Sequence, residues 1–308
     1  MERVHVIVNP FSARGRTGDR WEFIRELIKH YFKEFKFIFT EKPLQATEIA
    51  RELLKDGFDL IIGIGGDGTL NEIANGFFSD KTKKIINENA SLGIIPSGTG
   101  SDFIRFLKIP RDFKRSVELI KSSEKRKIDL GRISYGSGGR SEKQKYFLNV
   151  ADFGLGADVI KNLSDTPSTK RGPLSYYAGL LKTINSFSAK ELSLDISGYG
   201  KITGKFLIGA VANGGIFGGG MIIAPNASVD DGLFDLVLIE EMKKLEIIKN
   251  SIHLYRGTIE KNPKVRIIRT SKVQVTSSES VNIEYDGELG NRLPATFEVV
   301  RNSINFRV

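Results

Sequence analysis

A chain of 308 residues, 40% hydrophobic and 27% charged, has the length for two domains of ordinary size and the composition of a water-soluble globular protein. It has no cysteine, which excludes disulfides and thiolate chemistry, and no run approaches the roughly 20 apolar residues of a membrane-spanning helix. The formal net charge of +9 points to an anionic partner or a solubilising surface; Lys and Arg are scattered without interleaved aromatics, so nucleic acid is not expected, while anionic membranes and phosphorylated substrates stay open.

The first residues read as a strand and not as a signal peptide, so a cytoplasmic location is the expectation. Residues 3–8 form that strand, which ends at Asn9-Pro10 and a polar, glycine-bearing loop, 11–18, a common ligand position. Trp21, Ile24, Leu27, Ile28 and Tyr31 then recur at helical spacing. A second strand is predicted over 35–40. Pro43 opens a second helix carrying Ala46, Ile49, Ala50, Leu53 and Leu54, which stops at Gly57. The apolar run 59–64 is the third strand, followed by Gly65-Gly-Asp-Gly-Thr69 and a helix with Leu70, Ile73, Ala74 and Phe77 on one face. A fourth strand, 92–96, ends in a second glycine-rich turn, Ser97-Gly-Thr-Gly-Ser-Asp102, whose Ser101 or Asp102 is placed to cap the next helix. With a basic helix over 113–122, this alternation predicts a parallel sheet covered by helices on both faces.

Strand, glycine turn and helix start together aim backbone N–H groups and the positive end of a helix dipole at whatever lies above the turn, and phosphate is the expected occupant. Gly63, Gly65 and Gly68 also satisfy G-x-G-x-x-G, but Asp67 would repel a pyrophosphate unless a cation lay between them. A metal–phosphate site fits better than a dinucleotide turn. No lysine-bearing P-loop is present.

The pattern changes near Arg126. Strands are predicted over 127–133, 146–151, 191–196, 201–213, 233–239, 265–277, 281–285 and 296–300, interrupted by helices over 174–187 and 244–255. Such a succession predicts an antiparallel sandwich or open barrel, whose exposed edge strand invites pairing of two copies as a homodimer. The helix over 174–187, with aromatics, leucines and the basic flank Lys170 and Arg171, suits either packing on a sheet or a membrane interface.

At Gly65-Gly-Asp-Gly-Thr69 with Asn71 and Glu72, and again at Pro96-Ser-Gly-Thr-Gly-Ser-Asp102, the sequence resembles the diacylglycerol kinase catalytic-domain family, specifically its bacterial-type lipid kinases. The resemblance continues through Asn9-Pro10, Asp129-Leu-Gly131, Phe153-Gly-Leu-Gly-Ala157, Asp230-Asp-Gly-Leu-Phe-Asp235 and Asp286-Gly-Glu288, in the expected order over nearly the whole chain. It implies an NAD-kinase-like α/β nucleotide-binding domain, residues 1–126 with 302–308 returning to it. A β-sandwich-like lipid-substrate domain, 127–301, follows, with the active site in the cleft between. The implied reaction is ATP- and Mg²⁺-dependent transfer of the γ-phosphoryl group to a lipid hydroxyl at an anionic membrane surface, with diacylglycerol or a related glycerolipid as acceptor.

The resemblance places Asn9, Pro10, Phe11, Ser12, Ala13, Thr40, Gly65, Gly66, Asp67, Gly68, Thr69, Leu70, Asn71, Glu72 and Thr99 around the nucleotide. It gives Glu288 the role of general base, tuned by Asp286, and a second, structural Mg²⁺ to Ser228, Asp231 and Leu233. The sequence itself reads the first of these as an Asp-Gly turn before a surface Glu, and the second as a tight turn. Asp67, Asp102 and Asp129 each lie just beyond, or within, a predicted strand of the first sheet and could converge at one edge of it as an aspartate network for Mg²⁺, directly or through water; hard oxygens without a Cys or His cluster favour that ion. For Asp129 the alternative is a solvated strand-end carboxylate. Rival readings are an NAD kinase, which shares Gly-Gly-Asp-Gly, an inactive nucleotide- or lipid-binding regulator, and an NAD-dependent oxidoreductase, which Asp67 disfavours.

Overall fold

A computed structural model describes residues 2–98, 101–136, 144–163 and 173–308. The chain divides into two compact units, Met1–Ile128 with Asn302–Val308, and Asp129–Arg301.

The first unit is built on parallel strands. Its elements are β1 (Val4–Val8), α1 (Arg16–Asp19), α2 (Trp21–Tyr31), β2 (Lys36–Phe39), α3 (Gln45–Lys55), β3 (Leu60–Gly65), α4 (Asp67–Gly76), β4 (Ser91–Pro96), α5 (Asp102–Phe106) and α6 (Phe113–Ser122). The strand order is β2-β1-β3-β4, every neighbouring pair parallel. All residues of β1, β3 and β4 are buried, as expected of strands covered on both faces. Strand β2 is the edge, and its Phe37, Ile38 and Phe39 stay exposed. Trp21, Ile24 and Ile28 bring one face of α2 onto this sheet, and Val117 and Ile120 do the same for α6.

The second unit is richer in strands. From β5, which crosses into it, to β17, which leaves it, the chain runs β5 (Lys125–Tyr135), β6 (Gln144–Phe147), β7 (Val150–Gly154), α7 (Leu155–Leu163), α8 (Pro173–Ser186), β8 (Lys190–Ile196), β9 (Gly200–Ala212), β10 (Ile216–Phe217), β11 (Met221–Ile222), β12 (Phe234–Glu240), α9 (Lys244–Arg256), β13 (Val265–Thr270), β14 (Lys272–Thr276), β15 (Asn282–Tyr285), β16 (Glu288–Arg292) and β17 (Ala295–Arg307). Antiparallel pairing runs β16-β15-β7-β9-β8-β14-β17, with β12 joining β9 to β13. The segment expected as one strand over 265–277 is two, because β13 pairs with β12 while β14 pairs with β8 and β17. Helix α7 has no counterpart in the sequence reading. Strand β17 outruns its predicted end and delivers 302–308 to the first unit, where Asn305 and Phe306 run parallel to Ser91 and Leu92 of β4.

Candidate active site

Three loops meet at the C-terminal ends of β1, β3 and β4. The Asn9 side-chain amide donates to Thr69 Oγ1 at 2.9 Å, tying the loop after β1 to the first glycine turn. Thr17, fully buried, hydrogen-bonds Ser12 Oγ at 2.6 Å and Ser97 Oγ at 2.5 Å, tying the same loop to the second turn. The Ser97 N–H donates to the Gly65 carbonyl at 2.8 Å. The two turns then touch backbone to backbone, since a Cβ built on Gly98 lies 2.6 Å from the Gly66 Cα. At Gly68, in the first turn of α4, a Cβ would meet nothing within 4 Å, so the approach to that helix N-terminus is open.

Asp67 is committed in a way its sequence position did not reveal. Its Oδ2 accepts from the Asp102 amide at 2.5 Å and from the Phe103 amide at 3.4 Å, so Asp67, and neither Ser101 nor Asp102, caps α5. Asp102 Oδ1 instead accepts from Arg105 at 3.0 Å. Arg16, Arg20 and Arg111 line a cavity together with Ser97, Gly98 and Ser101. Three guanidinium-bearing side chains beside the glycine turns supply the cationic surface that a lysine-bearing loop provides elsewhere. Their scatter along the sequence hid them.

The other expected nucleotide residues divide. Pro10 accepts from the Gly18 amide, Ala13 takes a left-handed backbone, and Phe11 stands 59% exposed at the loop tip. Thr40 is buried against the Val8 carbonyl. Leu70 is in the core, and Asn71 Oδ1 accepts from Asn75 at 3.0 Å. Glu72 Oε2 accepts from the Ala46 amide at 3.2 Å, at the start of α3. Thr99 lies outside the described residues, as do Lys170 and Arg171.

In the second unit, Asp286 and Gly287 form the two-residue turn between β15 and β16, with φ of 48° and 85°. Positive φ at both positions is the primed hairpin turn that Asp-Gly favours. Consequently Asp286 and Glu288 do not share a face of one extended segment; Glu288 pairs across the hairpin with Tyr285. The Asp286 carboxylate accepts from the amides of Leu148 at 2.7 Å, Asn149 at 3.0 Å and Val150 at 3.2 Å, pinning the turn to the start of β7. It fixes where Glu288 stands. Burial raises the Glu288 carboxyl above its ordinary range, opposed by the Lys145 charge.

Beneath this turn lies a carboxyl pair that sequence reasoning missed. Glu284 on β15 and Asp152 on β7 are direct cross-strand partners, both buried. Glu284 Oε2 accepts from the Gly287 amide at 3.0 Å, and the Asp152 carboxylate packs on Gly156 at the start of α7. Burial pushes Asp152 up to about 6 and Glu284 well above its ordinary value. The available signal was an acid inside the otherwise apolar run Val150-Ala-Asp-Phe153.

Helix α7 packs against β15 and β16 and also lines an apolar cavity with Leu155 and Val159. Leu207, Phe217, Met221 and Ile239 form part of that wall, and Leu180 of α8 contributes to it.

The metal expectations fare unevenly. Among the described residues no group of three or more His, Cys, Asp or Glu side chains could hold a metal ion. Asp129 opens the second unit; it is buried, and its Oδ2 accepts from the Gly232 amide at 2.7 Å, so it is neither a solvated carboxylate nor part of the first sheet's edge. Asp231 forms an ion pair with Arg269 and accepts from the Leu233 amide at 2.9 Å, while Ser228 donates to Asp230 at 2.7 Å. A guanidinium thus neutralises Asp231 in this structure. Asp67 and Asp102 adjoin at the start of α5 and offer hard carboxylate oxygens; Mg²⁺ takes one or two carboxylates and completes its shell with water and phosphate.

Residues 3–133 match the model of the diacylglycerol kinase catalytic domain, and 149–307 match that of the YegS C-terminal NAD kinase beta sandwich-like domain. A diacylglycerol kinase of Bacillus subtilis (strain 168) is 28% identical over 298 residues, 96% of this chain and 93% of its own. One from Staphylococcus aureus (strain bovine RF122 / ET3-1) is 29% identical over 305 residues, 96% of this chain and 89% of its own. A crystal structure of a diacylglycerol kinase from Bacillus anthracis str. Sterne superposes with a TM-score of 0.73 at 21% identity, over 99% of this chain and 96% of that one. Yeast NADH kinase complexed with NADH gives 0.53 at 14% identity, over 99% and 82%, and shares the fold. With its two glycine turns, its Asp-Gly-Glu hairpin and both domain matches, the chain belongs to the diacylglycerol kinase catalytic-domain family of lipid kinases.

Proposed function

We propose that this protein transfers the γ-phosphoryl group of ATP to the hydroxyl of diacylglycerol or a closely related glycerolipid, with Mg²⁺. The observation that carries the reading is the junction of β7 and α7. One helix lines the apolar cavity and packs on the strand that Glu288 begins, so an acyl chain seated in the cavity leaves its polar head on the Glu288 side.

In the first unit, the amides at the start of α4 and the arginines of the neighbouring cavity hold the phosphates. Bound Mg²⁺ would neutralise phosphate charge, held by Asp67 and Asp102 directly or through water. In the second unit, Glu288 accepts the proton of the lipid hydroxyl as that oxygen attacks phosphorus. Its raised carboxyl is a stronger base than an exposed glutamate, and Asp286 holds the turn that presents it.

The test is transfer of labelled γ-phosphate into dispersed diacylglycerol with Mg²⁺, comparing wild type with Glu288→Gln. Label is expected in phosphatidic acid, with kcat lowered about 10²- to 10⁴-fold in the variant and the nucleotide KM little changed. Because Glu288 works ionised and burial raises it, wild-type activity climbs with pH through a limb above the usual glutamate range, and the variant lacks that limb. Label in NADP when NAD is supplied, and none in lipid, would move the assignment to an NAD kinase.

A further inference from the structure

Helix α9 shows apolar side chains on the side away from the protein. None of its residues is buried, and Leu245, Ile248, Ile252 and Tyr255 are 71%, 41%, 44% and 42% exposed. At about 100° per residue these four fall within an arc of about 80°. Ile247 and Leu254 lie on the opposite side and pack against the core beneath the helix. Lys249 and Arg256 border the stripe on one flank and Lys244 on the other, all exposed. Water-facing helices ordinarily show the reverse pattern, and an outward apolar stripe with basic flanks is the signature of a helix lying in a membrane interface.

Two further features select the partner. Tyr255 belongs both to the stripe and to the lining of the apolar cavity, to which Ile247, Ser251 and Leu254 also contribute, so the outward face runs continuously into that cavity. The chain carries a net charge of +9, complementary to an anionic lipid surface.

We propose that the outward face of α9 docks on anionic lipid bilayers, its apolar stripe entering the acyl region while Lys244, Lys249 and Arg256 meet the headgroups. The surface serves the lipid-kinase reading, on which its purpose rests: it places the rim of the acyl cavity at the bilayer, where a substrate can pass from membrane to protein without crossing water.

The test is co-sedimentation of the full chain with vesicles of phosphatidylcholine alone and of phosphatidylcholine with phosphatidylglycerol. Wild type, Leu245→Asp/Ile252→Asp and Lys249→Glu/Arg256→Glu are compared, with circular dichroism confirming that each is folded. A water-soluble short-chain diacylglycerol serves as a second, membrane-free substrate. Wild type is expected to bind the anionic vesicles; the aspartate variant loses binding about tenfold or more, and the glutamate variant loses the preference for anionic lipid. Both variants keep the wild-type rate on the short-chain substrate, since none of the four residues lines the cavity. Equal vesicle binding by wild type and the aspartate variant overturns the proposal, as does a wild type that ignores vesicles. A wild-type dimer that dissociates on aspartate substitution with vesicle binding intact overturns it in favour of a second copy. Absence of phosphate transfer to the short-chain substrate, with vesicle binding still dependent on Leu245 and Ile252, refutes the enzymatic reading and leaves the docking surface standing.

Discussion

Asp152, Glu284, Asp286 and Glu288 lie on three neighbouring strands, β7, β15 and β16, and the turn joining the last two, and their surroundings give them different work. Asp286 spends its oxygens on three backbone amides and acts as a clamp. Glu288 is partly buried, and burial raises its carboxyl, which suits the proton transfer proposed for it. Asp152 and Glu284 are buried side by side, and both hold protons more tightly than exposed carboxyls do. For stability the sign follows directly. Between the unfolded Asp152 value of 3.8 and its folded value of about 6, the native state binds more protons than the unfolded chain, so stability falls as pH rises through that window. At roughly 1.4 kcal/mol per pKa unit the loss is on the order of 3 kcal/mol above the window. Asp152→Asn keeps the shape without the charge. Thermal melts should therefore show the variant more stable than wild type near pH ~7.5, with the difference vanishing near pH ~4. A variant that melts lower at both pH values would mean that the carboxylate is itself held by favourable contacts.

Elements show how far local pattern reaches. The parallel α/β half was legible because buried strands are continuous apolar runs and the helices between them carry one apolar face, a property of each segment alone. The Asp-Gly hairpin was legible as a turn for the same reason, since Asp286 and Gly287 supply the positive φ the turn needs. Partnerships between distant segments were not legible. Nothing near Asp67 says that it caps α5, nothing near Glu72 says that it serves the start of α3, and the pairing of Asp152 with Glu284 exists only once β7 and β15 are in register. The touching glycine turns are a further case, and they make a prediction. Gly98→Ala adds one methyl aimed at the Gly66 Cα, where only backbone is available to move. A cost of about 1–3 kcal/mol is expected, of the size seen for overpacking, and with it weaker binding of an ATP analogue because the Gly66–Gly68 amides shift. Gly68→Ala adds its methyl into open space, so it should leave the melting temperature nearly unchanged while still weakening the nucleotide. Equal melting temperatures for the two variants would show that the Gly66–Gly98 contact is slack.

At the scale of the whole molecule, the chain enters the first unit, builds the second, and returns to the first along a single strand. Strand β17 carries Phe297 into the core of the second unit and Ile304 and Phe306 into that of the first. Asn305 secures the return, its side-chain amide donating to the Glu88 and Ala90 carbonyls at 2.8 and 3.0 Å beside β4. The last seven residues are thus structural to the unit that carries the glycine turns, although the sequence separates them from those turns by the entire second unit. Truncating either buried phenylalanine to alanine should cost about 3–5 kcal/mol in chemical denaturation. The two substitutions should differ in what they loosen. Phe306→Ala sits against the sheet whose strand ends carry the nucleotide loops, so it should weaken binding of an ATP analogue and raise hydrogen exchange in β3 and β4. Phe297→Ala, nine positions earlier on the same strand, should raise exchange in β7 and β14 and leave nucleotide affinity as in wild type. If both variants lost nucleotide binding equally, the two units would not be separable folding bodies, and the return of β17 would be a coupling between them rather than a component of one.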